Sequence, residues 1–226
     1  MNNITSKILS QHKIPHGFGM AGFLLGDYLQ ELWIKNAKIF NTDQLHSDSV
    51  VLLSTDHKPG TTIQADAFIT NEPGVVCYVR TADCVPILMF DPVKKAIGAV
   101  HAGWRGTAKR VAVKAVERFI HEFGSRREDI CVVIGPAIAG KCYEVDSEVA
   151  ESFVSIAGDH LKKGTYRGKW NLDLQQVNRT ILEKEGITKL EVIPICNHCD
   201  KKFASYRRDR SENGRQVNFI LLNTHD

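Results

Sequence analysis

The sequence predicts an α+β fold, read as a single domain over residues 1–226. Three observations predict it. Apolar runs of strand length follow one another closely between residues 50 and 100. Later stretches carry 3.6-residue apolar spacing instead. The strands come in groups with interspersed helices, not in a regular strand–helix alternation. A chain of 226 residues, 43% apolar and 24% charged, buries a sizeable core and has the balance of an ordinary soluble protein.

Residues 1–45 are the least legible. His16-Gly-Phe-Gly-Met-Ala-Gly22 is glycine-rich but matches no phosphate-loop spacing, so it reads as a turn or strand edge. Leu29 to Phe40 has helix-compatible spacing without clear caps. Strands are then expected at Val50–Leu53, Asp66–Thr70, Val75–Val79, Pro86–Phe90 and Ala96–Val100, punctuated by Asn71-Glu-Pro-Gly74 and Asp91-Pro92. Links this short suit antiparallel neighbours, because parallel crossovers need a dozen or more residues.

Thr107 to Phe123 is the strongest helix, with Val111, Ala112, Ala115, Val116, Phe119, Ile120 and Phe123 on one face and Gly124 as its cap. Ile130–Ile134 is a further buried strand. Asp146 is placed to cap a second helix through about Ile156, and Asn171 or Asp173 a third that ends at Gly186. Leu190–Ile195 and Gln216–Leu222 are the last strands. The sequence shows no internal repeat, low-complexity tract or linker.

Composition narrows the function. A net charge of +3 does not argue for nucleic acid. A basic cluster between Lys201 and Arg210 points instead to an anionic ligand. No run reaches the ~18 apolar residues of a membrane helix. The N-terminus lacks a signal peptide's apolar core, so a cytoplasmic location with reduced cysteines is expected. Of the six cysteines, Cys77 and Cys131 sit inside apolar runs as small core residues.

Two stretches have the shape of chemistry. Cys84 ends the cluster Arg80-Thr-Ala-Asp-Cys84 ahead of an apolar run. His101 follows it by 17 positions, at the end of the next run. His46 precedes another strand. Two histidines and a cysteine are a permitted catalytic zinc set, with one position left for water. Spacing alone does not declare a metal, since a histidine beside a strand is usually a hydrogen-bonded polar residue. Cys196-Asn-His-Cys199 is a C-x-x-C, but a structural zinc site wants a second pair and the sequence shows none, so it reads as a loop. Arg80, Arg105, Arg207, Arg208 and Arg215 flank turns or strand ends, where their forks suit phosphate or carboxylate. Asp83, beside Cys84, is a candidate for proton transfer.

The wording becomes specific at Thr81-Ala-Asp-Cys-Val-Pro86, Val100-His-Ala-Gly-Trp-Arg-Gly106, Gly135-Pro-Ala-Ile-Ala-Gly-Lys-Cys-Tyr-Glu-Val145, Ser205-Tyr-Arg-Arg-Asp209 and Gly214-Arg-Gln216. With Gln44-Leu-His46, these resemble the YfiH family, also called the multicopper polyphenol oxidase or laccase-domain family. The resemblance covers about residues 44–222. It implies a layered α/β/β/α fold with mixed sheets and a zinc site at His46, Cys84 and His101. The activity it implies is on purine nucleosides: phosphorolysis of adenosine, inosine, guanosine and methylthioadenosine, and deamination of adenosine. In this reading Cys84, His101 and Asp83 carry the chemistry, and Arg80, Arg105, Tyr143, Arg207 and Arg208 hold the substrate, with Trp104 and Tyr206 as further stacking surfaces. Purine nucleoside and phosphate are the expected partners, with no nucleic acid or membrane, in a monomer or small homo-oligomer.

The alternatives are a Cys–His hydrolase or peptidoglycan-precursor amidase, a nucleotide-binding module without catalysis, and a copper oxidase. Copper fits the ligand types. A laccase, however, needs about ten histidines, many in His-x-His pairs; this chain has nine and no such pair, with methionine only at Met1, Met20 and Met89. Two departures from the family's pattern are the shortened segment Gly17–Gly26 and the Cys196-Asn-His-Cys199 loop.

Overall fold

A computed structural model describes residues 3–31, 37–58, 61–210 and 214–223. The strands are β1 (Asn3–Ile4), β2 (His16–Gly19), β3 (Asn41–Asp43), β4 (Val50–Leu52), β5 (Thr62–Gln64), β6 (Ala67–Thr70), β7 (Val76–Thr81), β8 (Val85–Asp91), β9 (Ala96–Ala102), β10 (Cys131–Ile134), β11 (Glu144–Asp146), β12 (Leu161–Lys163), β13 (Lys169–Leu172), β14 (Lys189–Val192) and β15 (Gln216–Leu221). The helices are α1 (Lys7–Gln11), α2 (Leu25–Glu31), α3 (Trp104–Ala108), α4 (Val111–Phe123), α5 (Ser147–Glu151), α6 (Leu174–Lys184) and α7 (Tyr206–Asp209).

A six-stranded mixed sheet, ordered β14-β10-β8-β9-β6-β4, lies against a four-stranded antiparallel sheet, β1-β2-β15-β7. Period-2 alternation sorts the side chains between layers. Val85, Ile87 and Met89 of β8, with Val100 and Ala102 of β9, face α4 and α6. Leu88 and Phe90, with Ile97 and Ala99, face the second sheet instead. That sheet's other face packs Phe219, Leu221 and Val76 against Leu25 and Leu29 of α2. The result is the expected α/β/β/α layering, with strands apolar on both faces because both faces are covered.

Several expectations need correction. The glycine-rich segment is β2, an inner and fully buried strand. A side chain at Gly17 would collide with Asn3, and one at Gly19 with the Val217 carbonyl, so the glycines admit close strand approach. β4 and β6 pair in parallel, as do β10 and β14. β7 joins the other sheet, so Ala82-Asp-Cys84 is a sheet-switching link and not a hairpin turn. The long helix breaks into α3 and α4 at Lys109-Arg110, where Arg110 takes φ 62. The Asp146 helix stops at Glu151. The helix expected over Leu29–Phe40 lies partly outside the described residues; α2 covers only its start. Asp173 does cap α6, its carboxylate accepting from Gln176 N at 3.1 Å.

Candidate metal centre and active site

β8 and β9 form an antiparallel hairpin with Val85 opposite Ala102 and Pro86 opposite His101. One step further along that register places Cys84 opposite Gly103. The hairpin therefore brings two residues far apart in sequence to the same end of the sheet. A side chain added at Gly103 would lie 3.1 Å from Cys84 Sγ, 3.4 Å from His46 Cδ2 and 3.7 Å from His101 Cε1. Glycine keeps open a cradle bounded by those three residues.

His46 arrives from the link between β3 and β4, with φ 55. Asp66, fully buried at the head of β6, holds that link. Its carboxylate accepts from the backbone N–H groups of Leu45 (3.2 Å), His46 (3.0 Å) and Ser47 (2.6 Å) and from the Ser47 hydroxyl (2.6 Å). The same carboxylate accepts from His101 Nδ1 at 2.8 Å. A carboxylate can only accept, so Nδ1 carries the proton and Nε2 is left for a ligand. The ligand atoms of His46, Cys84 and His101 all lie within 4.8 Å of one another. The His46 and His101 rings stand edge to face, centroids 4.9 Å apart.

Burial opposes ionisation of the Cys84 thiol, but the charges and hydrogen bonds of His101 and His46 outweigh it and bring the thiol down to about 6. Burial likewise opposes charge on His101, and Cys84 and Asp66 overcome it, so His101 titrates above its ordinary value. A ready thiolate, an imidazole oriented by a carboxylate, and a second imidazole at the surface are the donor types of a zinc site. The residues present thus fit the ion that the resemblance implies.

The triad opens onto a cavity of about 630 Å³. Its wall includes Arg80, Arg105, Tyr143 and Arg207 from the expected substrate set, together with Trp104, Tyr206 and Arg215. Arg105 stacks on Trp104 at 4.3 Å and Arg207 on Tyr143 at 5.1 Å. Asp83 also lines the wall. One of its carboxylate oxygens accepts from Arg207 N at 2.6 Å; the other is buried without a partner among the described residues. Burial, followed by the Cys84 charge, pushes the Tyr143 hydroxyl up to about 12.

Arg208 is not in the wall. Its guanidinium donates to the carbonyls of Asn197 (2.7 Å), His198 (3.1 Å) and Phe203 (2.8 Å) and ties α7 to the neighbouring loops. Gln44, from the Gln44-Leu-His46 motif, and Arg210, at the end of the basic cluster, line the cavity too, as does Asp43 at the end of β3, which carried no signal in the sequence. Asp66 was read only as the start of a strand.

The family model described as multi-copper polyphenol oxidoreductase laccase matches residues 27–223. The chain is 37% identical over 160 residues to a Bacillus subtilis protein named purine nucleoside phosphorylase YlmD, a match covering 69% of this chain and 58% of that protein. It is 40% identical over 160 residues to a purine nucleoside phosphorylase of Deinococcus radiodurans, covering 70% of this chain and 62% of the relative. The chain thus spans about three fifths of these two relatives. A protein of the same name from Aquifex aeolicus is 36% identical over 186 residues, covering 82% and 84%. Among solved structures, the Bacillus licheniformis hypothetical protein YfiH superposes with a TM-score of 0.83 at 28% identity, covering 94% of each chain. YlmD from Geobacillus stearothermophilus gives a TM-score of 0.83 at 26% identity, covering 93% and 92%.

Proposed function

Since the chain belongs to the family described as multi-copper polyphenol oxidoreductase laccase, we propose that within it this protein is a zinc-dependent purine nucleoside phosphorylase that also deaminates adenosine. The observation that carries this reading is the placement of a His46–Cys84–His101 ligand set beneath a cavity walled by guanidinium groups and aromatic rings.

Phosphorolysis needs three things from the chain. Arg80, Arg105 and Arg207 supply forked donors for phosphate, which attacks C1′ while the bond from C1′ to the purine breaks and its electron pair leaves with the base. Trp104, Tyr143 and Tyr206 offer apolar faces for a planar base. Asp83, with one buried and unpartnered oxygen, is positioned to hold a proton against the departing purine or amine. A zinc ion held by His46, Cys84 and His101 would supply Lewis-acid polarisation and acidify water.

The oxidase reading is weaker. Met89, the methionine nearest Cys84 in sequence, points into the core against α4 and α6 and does not line the cavity. The candidate metal clusters among the described residues include just one with two histidines, which is too few for a laccase's copper set. The lowered Cys84 thiol and its contact with His101 favour a second reading, a Cys–His hydrolase. His46→Ala separates the two: it abolishes activity if the triad holds a metal and spares a Cys–His pair. Zinc-loaded protein incubated with adenosine is expected to release adenine only when phosphate is present, and inosine with or without it. Absence of adenine, hypoxanthine and inosine from zinc-replete protein, across adenosine and inosine as substrates, would rule the proposal out.

A further inference from the structure

The C-x-x-C at 196–199 lacks a partner pair in sequence, but the fold supplies one more sulphur. Ala137 and Cys196 form a parallel bridge that draws the two loops together. Cys142, at the end of the short 3-10 turn Gly140–Cys142, then lies with its Sγ 3.4 Å from Cys199 Sγ. The ligand atoms of Cys142, His198 and Cys199 all fall within 4.8 Å of one another. His198 Nδ1 is buried without a hydrogen-bond partner among the described residues. Cys196 borders the cluster but lies outside that 4.8 Å set, so it would have to close in as a fourth ligand; its sulphur accepts the Ala139 N–H at 3.3 Å.

These sulphurs behave as one group. Burial first, then the neighbouring thiols of Cys199 and Cys196, push the Cys142 thiol up. Burial opposes ionisation of Cys196 too, yet hydrogen bonding, first from the Ala139 N–H, outweighs it and lowers its pKa. Thiols gathered beside an imidazole with an unpartnered buried nitrogen are donors that a soft cation can bind.

We propose that Cys142, Cys196, Cys199 and His198 form a second, structural zinc site, separate from the triad of the active site. Three thiolates and one imidazole are a closed structural set. Two sulphurs on one tetrahedral zinc sit about 3.8 Å apart, given Zn–S bonds of about 2.3 Å, so the observed pair needs only a slight opening. A Cys142–Cys199 disulfide would instead draw the sulphurs to about 2 Å and leave Cys196 and the unpartnered imidazole without a role. The site's consequence is mechanical. Tyr143, next to Cys142, and Tyr206 and Arg207 on α7 line the active-site cavity, and Arg208 of α7 hangs on the Asn197 and His198 carbonyls. A cation here pins that wall of the cavity.

The test is zinc content on the purified, reduced chain. About two zinc ions per chain are expected. The double variant His46→Ala/His101→Ala should retain about one, as should Cys142→Ser/Cys199→Ser, each losing a different ion. Should the serine variant fail to fold, wild-type protein still decides the matter. Iodoacetamide labelling of Cys142, Cys196 and Cys199, mapped by mass spectrometry, should slow about tenfold or more when zinc is present. Labelling indifferent to zinc, a persistent Cys142–Cys199 disulfide, or loss of all zinc from the His46→Ala/His101→Ala variant overturns the proposal.

Discussion

Asp66 connects more of the candidate site than either histidine does. One buried carboxylate fixes the loop that carries His46 and the tautomer of His101. Burial opposes its charge, but the hydrogen bonds from His101 and Ser47 prevail and hold it down to about 2. Asp66→Asn keeps the size and removes the charge. It also forces an amide where up to five donors converge, so an N–H now faces an N–H. Zinc affinity at the triad is expected to fall about 10- to 100-fold, the usual cost of losing the partner that orients a ligand histidine. Titration with a zinc chelator on the Cys142→Ser/Cys199→Ser background would read the triad alone, and an affinity within about twofold of the parent would refute the role. Asp66 was illegible in the sequence for a definite reason. Asp91 has the same context, an acid flanking an apolar strand, yet it accepts from the Val93 and Lys94 N–H groups in a turn. Only the pairing of β6 with β9 tells the two apart. His46, Cys84 and His101 were legible as donor types at strand ends, though not as a set by spacing.

At the scale of elements, legibility followed periodicity. β8, β9, β10, α4 and α6 were legible because covered faces demand apolar side chains at a regular period. β2 was missed because close approach demands glycine, and glycine looks like a turn. It also carries a buried titratable group. His16 Nδ1 donates to Ile14 O at 2.8 Å while Nε2 accepts from Ser6 N at 2.8 Å, a pattern that only the neutral ring can make. Burial lowers its pKa from 6.5, partly offset by the Ile14 carbonyl and by Glu191, whose carboxylate accepts from Lys7 N and Ile8 N at the start of α1. The unfolded chain thus takes up a proton near 6.5 that the folded chain refuses. This contribution to stability is complete above that pH and is lost as the pH falls from there through the lowered folded value. Urea midpoints at about pH 7.5 and about pH 5 should therefore drop further for wild type than for His16→Gln. At the higher pH the variant itself should cost on the order of 1 kcal/mol, from one lost buried hydrogen bond. Equal drops in both proteins would show that the ring does not titrate with unfolding.

For the whole molecule, the informative quantity is where the charge lies. The chain's formal charge is only +3. The cavity wall carries Arg80, Arg105, Arg207, Arg210 and Arg215 against Asp43 and Asp83. Five cations against two anions leave an excess of three, so the entire imbalance of the molecule is gathered on one wall while the remainder is neutral. The motifs bearing those arginines were readable one by one. Their convergence was not, because it depends on β7 and β15 pairing across 139 positions, as in the Asn218–Val79 contact, and on α7 folding back over the hairpin end. A concave wall with a net excess of positive charge concentrates field and draws anions. If that field serves phosphate, its effect must weaken with salt, since the screening length shrinks from about 30 Å at 0.01 M to about 8 Å at 0.15 M ionic strength. The KM for phosphate should rise about threefold or more over that range. The KM for a neutral nucleoside should hardly move, because a neutral ligand offers that field no net charge to act on. Steady-state kinetics with each substrate varied in turn separates the two. Equal salt effects on both constants would mean that the arginines brace the wall instead of gathering phosphate.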